Sequence, residues 1–420
     1  MKELLSLLAL AALLTGCTPL SPSPHGDVPK SDTVTMSTQF PVYDKDIDRI
    51  QVIIENGGET NLNYGVEWAM EVQQGGSWKQ IPYAEGYAWI QPLISLMPAG
   101  TYSYYVSMDM LDYDLKDGTY RVVKEISGEV YTAEFMIGES TVSADSPFGY
   151  VPLEDLPAVY TRENAAADGV VLMHPDGTFE NSDRMETFLK DYIRGVDTQI
   201  RFAHYEPGNE NELSLTDVTV DRRLGSTRIR HTYDCTRVIC YNPYSYTHYL
   251  RYITVDDFGR FWLSNTLETA EHSENSELLY EISEFFGKYS DWADTVREYT
   301  LSTYNGIGAW SPDGLRLVES SRDDVLHFYV NIRHAEGGEI GYTANLLDVK
   351  PAERIIDVVW QDNTVAVLVC SNQIEGVQYY GGDDTYTYCF YDTESEELLR
   401  TVVSAEEYRF DENRNLIIPQ

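Results

Sequence analysis

Three side chains near the middle of the chain have the residue types that bind zinc. His231, Cys235 and Cys240 follow one another in the pattern H-x3-C-x4-C, and imidazole nitrogens and thiolates are the ligands that zinc prefers. The pattern lacks the C-x2-C pair of a zinc knuckle and specifies no fourth ligand. We therefore predict no metal site, and expect that Cys235 and Cys240 form a disulfide or remain buried thiols.

A second cysteine pair, Cys370 and Cys389, flanks a predicted hairpin. Residues 381–384, with the sequence GGDD, lie near the midpoint between the two cysteines. A turn at that midpoint would set the cysteines nearly opposite each other on neighbouring strands. A disulfide could therefore join them, with two buried thiols as the alternative.

Acidic residues close to the N-terminus have the spacing of a calcium-binding loop. Asp44, Asp46 and Asp48 alternate along the chain, and Glu55 follows at the twelfth position of such a loop. The sixth position needs glycine for a sharp turn, but this chain has Arg49 there, and the next residues are typical of a strand. The pattern favours a charged entry to a strand over a calcium site.

Two histidines and a carboxylate could supply general acid–base chemistry. His174, His204 and Asp234 lie on or beside predicted strands of one domain, so a hydrolase with an unrecognised site in 159–420 is the alternative function. The chain has no G-x-S-x-G, H-E-x-x-H or S-x-x-K sequence and no phosphate-binding glycine loop. We predict no catalytic residue and no cofactor, and assign these histidines structural roles.

The chain contains 32 tyrosines, and two segments concentrate them: CYNPYSYTHYLRY at 240–252 and VQYYGGDDTYTYCFYD at 377–392. Alternation along a strand places aromatic rings on both faces, so one face can fill a core while the other stays partly exposed. Exposed tyrosines suit the recognition of a protein or a glycan. Cross-strand packing alone is the other interpretation.

The fifth cysteine follows an apolar N-terminal run. Residues 4–14 are eleven residues without a charge, too short at about 1.5 Å per residue to cross a hydrocarbon core of about 30 Å. The next residues, Leu14-Thr15-Gly16-Cys17, resemble the lipobox of bacterial lipoproteins. The resemblance implies a signal peptide at 1–17 that is cut before Cys17, and a lipid on the Cys17 thiol. The protein would then be held on the outer face of the cytoplasmic membrane by a Pro/Ser-rich tether at 18–32.

The excess of acidic residues limits the classes of molecule that the protein can bind. The chain has 68 acidic and 30 basic residues, a net charge of −38. Such a surface repels phosphate backbones, so we predict no nucleic-acid partner. If Cys17 carries a lipid, four cysteines remain, an even number that permits two disulfides outside the cytoplasm.

The first predicted domain, at 33–138, is a β-sandwich. Short strand-like segments alternate with the turns NGG, QGG, MPAG and LKDG, and no amphipathic helix interrupts them. The segments RIQVIIEN, TYRVVKEI and YTAEFMIG, in this order, resemble a bacterial immunoglobulin-like domain family that is common in Gram-positive lipoproteins. The resemblance implies a domain that spaces or binds, with no catalytic residues to carry over.

A linker at 139–158 precedes a second predicted domain, α+β, at 159–271. Asn181 or Ser182 can cap a helix that Gly195 ends. Its apolar side chains share one face: Met185, Phe188, Leu189, Tyr192 and Ile193. Five strands follow, which predicts one helix packed on an antiparallel sheet. The order of these segments resembles a domain of unknown function that recurs in Firmicute lipoproteins, and implies no activity.

The third predicted domain, at 275–420, is β-rich. It should open with a helix at 275–287, NSELLYEISEFFG. The WSPDG turn at 310–314 resembles a β-propeller blade, but the segment is too short for a closed propeller. Either two or three blade-like sheets stack as an open domain, or the match is only a good hairpin turn, which we favour.

The sequence therefore predicts a mainly β, multidomain, lipid-anchored envelope protein of a Gram-positive bacterium. The expected role is non-catalytic: recognition of an envelope protein or a wall glycan, or a structural function. The membrane is an expected partner only through the lipid on Cys17.

Overall fold

The computed structural model describes residues 20–90, 92–205, 208–209, 212–222, 226–238, 243–267, 280–282, 286, 291–304, 306–322, 328–334, 341–343, 354–371, 385–395, 397–410 and 416–418. Within these residues the chain is mostly β-strand, as predicted, and has three helices. It divides into two units, Met1–Pro152 and Leu153–Gln420.

The first unit is built from eleven described strands. They are β1 (Ser21–Pro22), β2 (Val34–Thr38), β3 (Val42–Tyr43), β4 (Arg49–Asn56), β5 (Leu62–Tyr64), β6 (Ala69–Gln74), β7 (Ser77–Gln80), β8 (Ile94–Leu96), β9 (Thr101–Ser107), β10 (Gly118–Ile126) and β11 (Glu129–Ile137). A six-stranded sheet has the order β1-β7-β6-β10-β11-β3, and a second has the order β2-β4-β9.

The two sheets enclose one core because apolar residues alternate along their strands. Ile50, Val52 and Val106 from one sheet pack with Val122 and Phe135 from the other. All these side chains are buried. The predicted β-sandwich is therefore the observed architecture.

Part of the predicted tether belongs to this sandwich. Ser21 pairs with Gln80 and Pro22 with Lys79, so β1 forms an edge of the larger sheet. Backbone hydrogen bonding to an open sheet edge explains why this Pro/Ser-rich segment is not a solvated spacer throughout. Residues of the predicted linker also dock here, since the Asp44 amide donates to the Val142 carbonyl.

The second unit contains three described helices and nineteen strands. The helices are α1 (Arg162–Ala167), α2 (Asp183–Ile193) and α3 (Ala293–Thr303). The first eight strands are β12 (Val171–Met173), β13 (Phe179–Glu180), β14 (Thr198–His204), β15 (Ser214–Asp221), β16 (Arg228–Asp234), β17 (Ser245–Leu250), β18 (Tyr252–Val255) and β19 (Phe261–Ser264). The remaining strands are β20 (Tyr280–Glu281), β21 (Gly308–Trp310), β22 (Arg316–Arg322), β23 (Phe328–His334), β24 (Gly341–Thr343), β25 (Arg354–Trp360), β26 (Val365–Ser371), β27 (Tyr386–Asp392), β28 (Glu397–Ser404), β29 (Arg409–Phe410) and β30 (Leu416–Ile417).

Helix α2 packs on a six-stranded sheet of order β13-β12-β14-β15-β16-β17. Its predicted apolar face is confirmed, because Met185, Phe188, Leu189 and Tyr192 are buried in the core under the sheet. Gly195 has φ +68°, so it supplies the left-handed residue that ends the helix. One strand pair, β12 with β14, is parallel in a sheet that was expected to be antiparallel throughout.

The predicted boundary near residue 272 is not a domain boundary in the structure. Ile282, Phe286 and Val296 are buried in the same core as α2, so the segment assigned to a third domain completes the second one. The predicted helix at 275–287 is partly wrong, because Tyr280–Glu281 is a strand paired with β19. Residues 275–279, 283–285 and 287 lie outside the described residues.

A buried ion pair ties this core to the C-terminal strands. Arg251 Nη2 lies 3.1 Å from Glu319 Oε2 on β22, and both side chains are nearly inaccessible. Arg251 also separates β17 from β18, which belong to different sheets.

Two four-stranded antiparallel sheets, β21 to β24 and β25 to β28, make up most of the C-terminal part. Ala309 and Val318 of the first sheet pack with Ile355 and Val358 of the second. The WSPDG segment forms a hairpin turn, with Gly314 at φ +69°. The hairpin turn that we favoured is therefore present, and the two sheets pack against each other.

Candidate functional site

The best candidate for a functional surface lies on β16 and β17, where the buried face of the sheet continues towards solvent. Alternate residues of β16 pass from buried Ile229 to partly exposed Tyr233, while β17 passes from buried Leu250 to partly exposed Tyr246. Tyr233 lies directly opposite Tyr246. Ile229 and Leu250 pack with α2, so the tyrosines extend the same face beyond the core.

Three tyrosine rings stand next to one another on this face. Tyr244 and Tyr246 are stacked, with ring centroids 6.1 Å apart and 14° between their planes. Tyr233 and Tyr246 are also stacked, at 5.5 Å and 29°. Tyr244 is 50% exposed. We call Tyr233, Tyr244 and Tyr246 the aromatic ledge, a set of adjacent flat apolar faces with phenol hydroxyls at their rims.

Two histidines lie between the aromatic ledge and the core. His231 faces His248 across the strand pair, and the His248 ring centroid is 4.9 Å from that of Tyr246. Burial, with a smaller Coulombic effect of His248, lowers the pKa of His231 to about 4. His231 is therefore neutral at pH 7 and supports the ledge as a packed ring, not as a charge.

Acidification should destabilise the second unit through His231. Its folded-state pKa of about 4 is below the ordinary value of 6.5, so its contribution to stability is complete above pH 6.5 and is lost as the pH falls towards 4. The full loss is about 3 kcal/mol. We expect the melting temperature of this unit to fall less steeply between pH 7 and 4.5 in His231→Gln than in the natural chain. Exposed His25→Gln is the control, and parallel curves for His231→Gln and the natural chain would contradict the assignment.

His174 lies beside residues that the sequence did not link to it. Its Nδ1 is 2.7 Å from the Tyr205 hydroxyl, and its Nε2 is 3.8 Å from Glu180 Oε2. Arg162 Nη2 lies 3.6 Å from the same carboxylate. A histidine between a hydroxyl and a carboxylate can relay a proton. The His174 cluster is therefore the arrangement that best fits the hydrolase alternative.

His204 and Asp234, which the hydrolase alternative would combine with His174, do not join it. His204 pairs with Ser214, and Asp234 pairs with the next residue, Leu215, so the side chains of His204 and Asp234 point to opposite faces of the sheet. The Asp234 carboxylate accepts hydrogen bonds from Thr236 and Arg237 instead. A one-residue difference in register, which sequence spacing does not show, explains why His204 and Asp234 do not form the acid–base pair of the hydrolase alternative.

The cysteines of the C-terminal pair occupy neighbouring strands, and of the two alternatives the structure has thiols and not the disulfide. Cys389 lies opposite Leu368, and Cys370 lies opposite Thr387, so the two residues are diagonal neighbours. Diagonal Cβ atoms are roughly 7 Å apart, whereas a disulfide needs about 4 Å. Both residues carry thiols in the structure.

Cys235 is a buried thiol at the end of β16. Its Sγ donates to the Tyr244 carbonyl at 3.3 Å and accepts from the Tyr244 amide at 3.4 Å. Cys240, its predicted partner, lies outside the described residues. The thiol of Cys235 thus helps to position the most exposed ring of the aromatic ledge.

The acidic residues near β4 behave as a charged strand entry. Asp48 pairs with Arg49 at 3.0 Å, and Arg49 is the first residue of β4. Glu55, near the end of the same strand, accepts from Thr35 Oγ1 at 3.0 Å. Among the residues that the structure describes, no group of three or more His, Cys, Asp or Glu side chains is placed to hold a metal ion.

The second tyrosine-rich segment mainly builds core. Tyr388 and Phe390 are buried on one face of β27, and Tyr391 is buried in a different cluster on the other face. Residues 377–384 of this segment lie outside the described part. Sequence alternation alone did not separate these buried rings from the exposed ones of the aromatic ledge, because both faces of β27 are covered.

No described helix is long and apolar enough to cross a membrane.

Comparison with known proteins gives one family match. Residues 30–137 match the model described as a bacterial Ig-like domain. No curated protein matches the chain.

Several solved structures are weakly similar. An alkylpurine DNA glycosylase from Pseudomonas fluorescens has 14% identity and a TM-score of 0.18, with 26% of this chain and 32% of that one covered. A beta-glucosidase from Listeria innocua has 12% identity and a TM-score of 0.16, with 26% and 17% covered. A sporulation control protein from Bacillus subtilis has 9% identity and a TM-score of 0.16, with 64% and 97% covered. The chain thus spans less than two thirds of the first two, and likenesses at these scores carry no functional argument.

An Ig-like domain is typical of proteins with a surface or binding role, and the β-sandwich of the first unit agrees with the family match. The chain is therefore a multidomain, mostly β protein whose first unit contains a bacterial Ig-like domain at residues 30–137.

Proposed function

We propose that the protein is a lipid-anchored, extracytoplasmic binding protein that recognises a neutral glycan of the cell envelope through the aromatic ledge. The observation that carries the proposal is the stack of Tyr233, Tyr244 and Tyr246 at the partly exposed end of a sheet face. The proposed location outside the cytoplasm rests on the lipobox resemblance around Cys17 and on the Ig-like domain.

The shape of the aromatic ledge suits a sugar ring. The apolar C–H face of a pyranose is flat and packs on an aromatic ring, while its hydroxyls can reach the phenol oxygens at the rim. Stacked neighbours such as Tyr244 and Tyr246 offer successive ring faces to successive sugars. The ledge is supported by His231, which is packed and neutral, so little ordering is needed when the ligand binds.

Charge favours a neutral ligand over an anionic one. The net charge of −38 repels phosphate-rich or carboxylate-rich polymers at low ionic strength. Neutral polysaccharide avoids this repulsion and still gains the aromatic contact.

Tyr246→Ala should weaken binding to a neutral wall polysaccharide by about tenfold or more, because it removes the ring that stacks on both other tyrosines. Isothermal titration of the protein with soluble wall-glycan fragments measures the effect. Tyr102→Ala is the matched control, since Tyr102 stacks on Tyr104 in the first unit, whereas the ledge belongs to the second. Equal affinities of the Tyr246→Ala and natural proteins would rule out the ledge as the binding surface.

A second candidate function, hydrolysis, is favoured by the contact of His174 with Tyr205 and its approach to Glu180. If the protein turns over a model ester or glycoside and His174→Ala abolishes that turnover, the enzyme is the better description. The same titrations then distinguish a binding surface from a substrate site, since only the former should depend on Tyr246.

A further inference from the structure

The first unit exposes apolar side chains that its core does not use. Ile90, Leu93 and Met97 are 74%, 76% and 65% exposed. Among residues 81–100, Glu85 is the one charged side chain, although 23% of the whole chain is charged. We call the described residues 87–90 and 92–97, which include the short strand β8, the apolar loop. Exposed apolar side chains grouped in this way are typical of a surface that contacts another apolar phase.

Trp89 fixes the apolar loop to the sandwich. Its ring lies 5.5 Å from Trp68 and 5.7 Å from Tyr83, both in edge-to-face contact. Downstream, β8 pairs with β5. The loop is therefore held at Trp89 and at β8, while Ile90 and Leu93 between them remain outside the core.

The segment that leads to the apolar loop starts close to the residue that would carry the lipid. Ser21 of β1 pairs with Gln80, the last residue of β7, and the segment that leads to the loop begins at the next residue, Ile81. Cys17 precedes Ser21 by four residues, a reach of at most about 14 Å. A lipid on Cys17 would hold this edge of the sandwich next to the bilayer.

We propose that the apolar loop inserts Ile90, Leu93 and Met97 into the interfacial region of the membrane in which the Cys17 lipid is embedded. This inference rests on the lipid anchor of the proposed function. The chemistry of the loop fits a lipid surface: it buries apolar side chains without moving a charge out of water. The acidic remainder of the chain is repelled by anionic headgroups, so the loop is the part of the first unit best suited to approach them.

Insertion would give the anchor a second attachment point. The lipid on Cys17 and the apolar loop would act together and would fix the orientation of the first unit on the membrane.

A tryptophan reporter tests the proposal in the full-length protein. Leu93→Trp places a new fluorophore in the loop, and the protein is reconstituted into phosphatidylcholine vesicles with or without bromine on the acyl chains. We expect the added emission of this variant to shift to shorter wavelength in vesicles and to lose intensity when the lipid is brominated. Met136→Trp is the matched control: Met136 is 50% exposed and lies on β11, across β6 and β10 from β7 in the same sheet.

The possible results distinguish failure of loop insertion from failure of the lipid anchor. If the protein floats with the vesicles but bromine quenches the added emission of Leu93→Trp no more than that of Met136→Trp, the loop does not insert, although the anchor stands. A blue shift that depends on protein concentration and not on lipid would show contact between copies of the chain and also overturn insertion. If the natural protein and Cys17→Ala fractionate from cells identically, the anchor fails, and the inference fails with it.

Discussion

Replacing Glu71 by alanine is expected to lower the free energy of unfolding of the first unit by about 3–5 kcal/mol. Glu71 Oε2 accepts hydrogen bonds from Arg121 Nε at 2.7 Å and lies 2.5 Å from Nη2, and neither side chain is more than 2% exposed. The variant would leave the guanidinium buried without its carboxylate. Urea unfolding of the full chain should show the loss in the transition of the first unit.

Glu134→Ala is the matched control for this prediction. Arg121 lies between two strands, with Glu71 opposite it on β6 and Glu134 opposite it on β11. Glu134 is exposed, so its removal should change the free energy of unfolding by less than about 0.5 kcal/mol. Equal losses in both variants would show that the buried ion pair has no special role.

Asp217→Ala should destabilise the second unit by a similar amount, about 3–5 kcal/mol. The Asp217 carboxylate accepts from Arg201 at 2.6 and 2.7 Å, a two-point contact, and from Gln199 at 3.0 Å. These three side chains lie on the sheet face opposite the α2 core, and those of Arg201 and Asp217 are almost inaccessible to solvent. Removing the carboxylate breaks the strongest type of hydrogen bond in a place that water does not reach.

Glu298→Ala, an exposed acid on α3, is the control in the same unit. We expect its transition to coincide with that of the natural chain. Because the two units have separate cores, Asp217→Ala should leave the transition of the first unit unchanged, and a shift of both transitions would contradict separate unfolding.

Local pattern explains what could be predicted from the sequence. Helix α2 is predicted because Met185, Phe188 and Leu189 repeat with the period of a helix, and the strands of the sandwich are predicted because apolar residues and turns alternate at short range. These signals need only neighbours along the chain.

Contacts between distant residues were beyond that kind of prediction. Arg121 has Glu71 opposite it on one strand and Glu134 opposite it on the other, so the sequence allows either ion pair. The structure has the pair with Glu71, whose side chain is buried with that of Arg121. The segment with Phe286 and Val296 has the composition of a new domain, yet it fills the core under α2. Sequence spacing shows an apolar face but not which core will accept it.

In the candidate functional regions, too, local sequence patterns were predictive and contacts between distant residues were not. The alternation of tyrosines in 240–252 predicts a partly exposed aromatic face, and the ring geometry of the aromatic ledge agrees with it. The partners of His174 were not predicted, because Tyr205 and Glu180 reach it through strand pairing and each has an ordinary local sequence.

The docking of β1 changes where the first domain begins as a folding unit. The Arg121 guanidinium that pairs with Glu71 also donates to the Gly26 carbonyl at 2.6 Å and lies over the Trp78 ring. The family match starts at residue 30. Gly26, which precedes it, therefore helps to cover the buried charge of Arg121. A domain boundary drawn from the family match would remove β1 and Gly26. The smallest autonomous form of this domain therefore starts at or before Ser21.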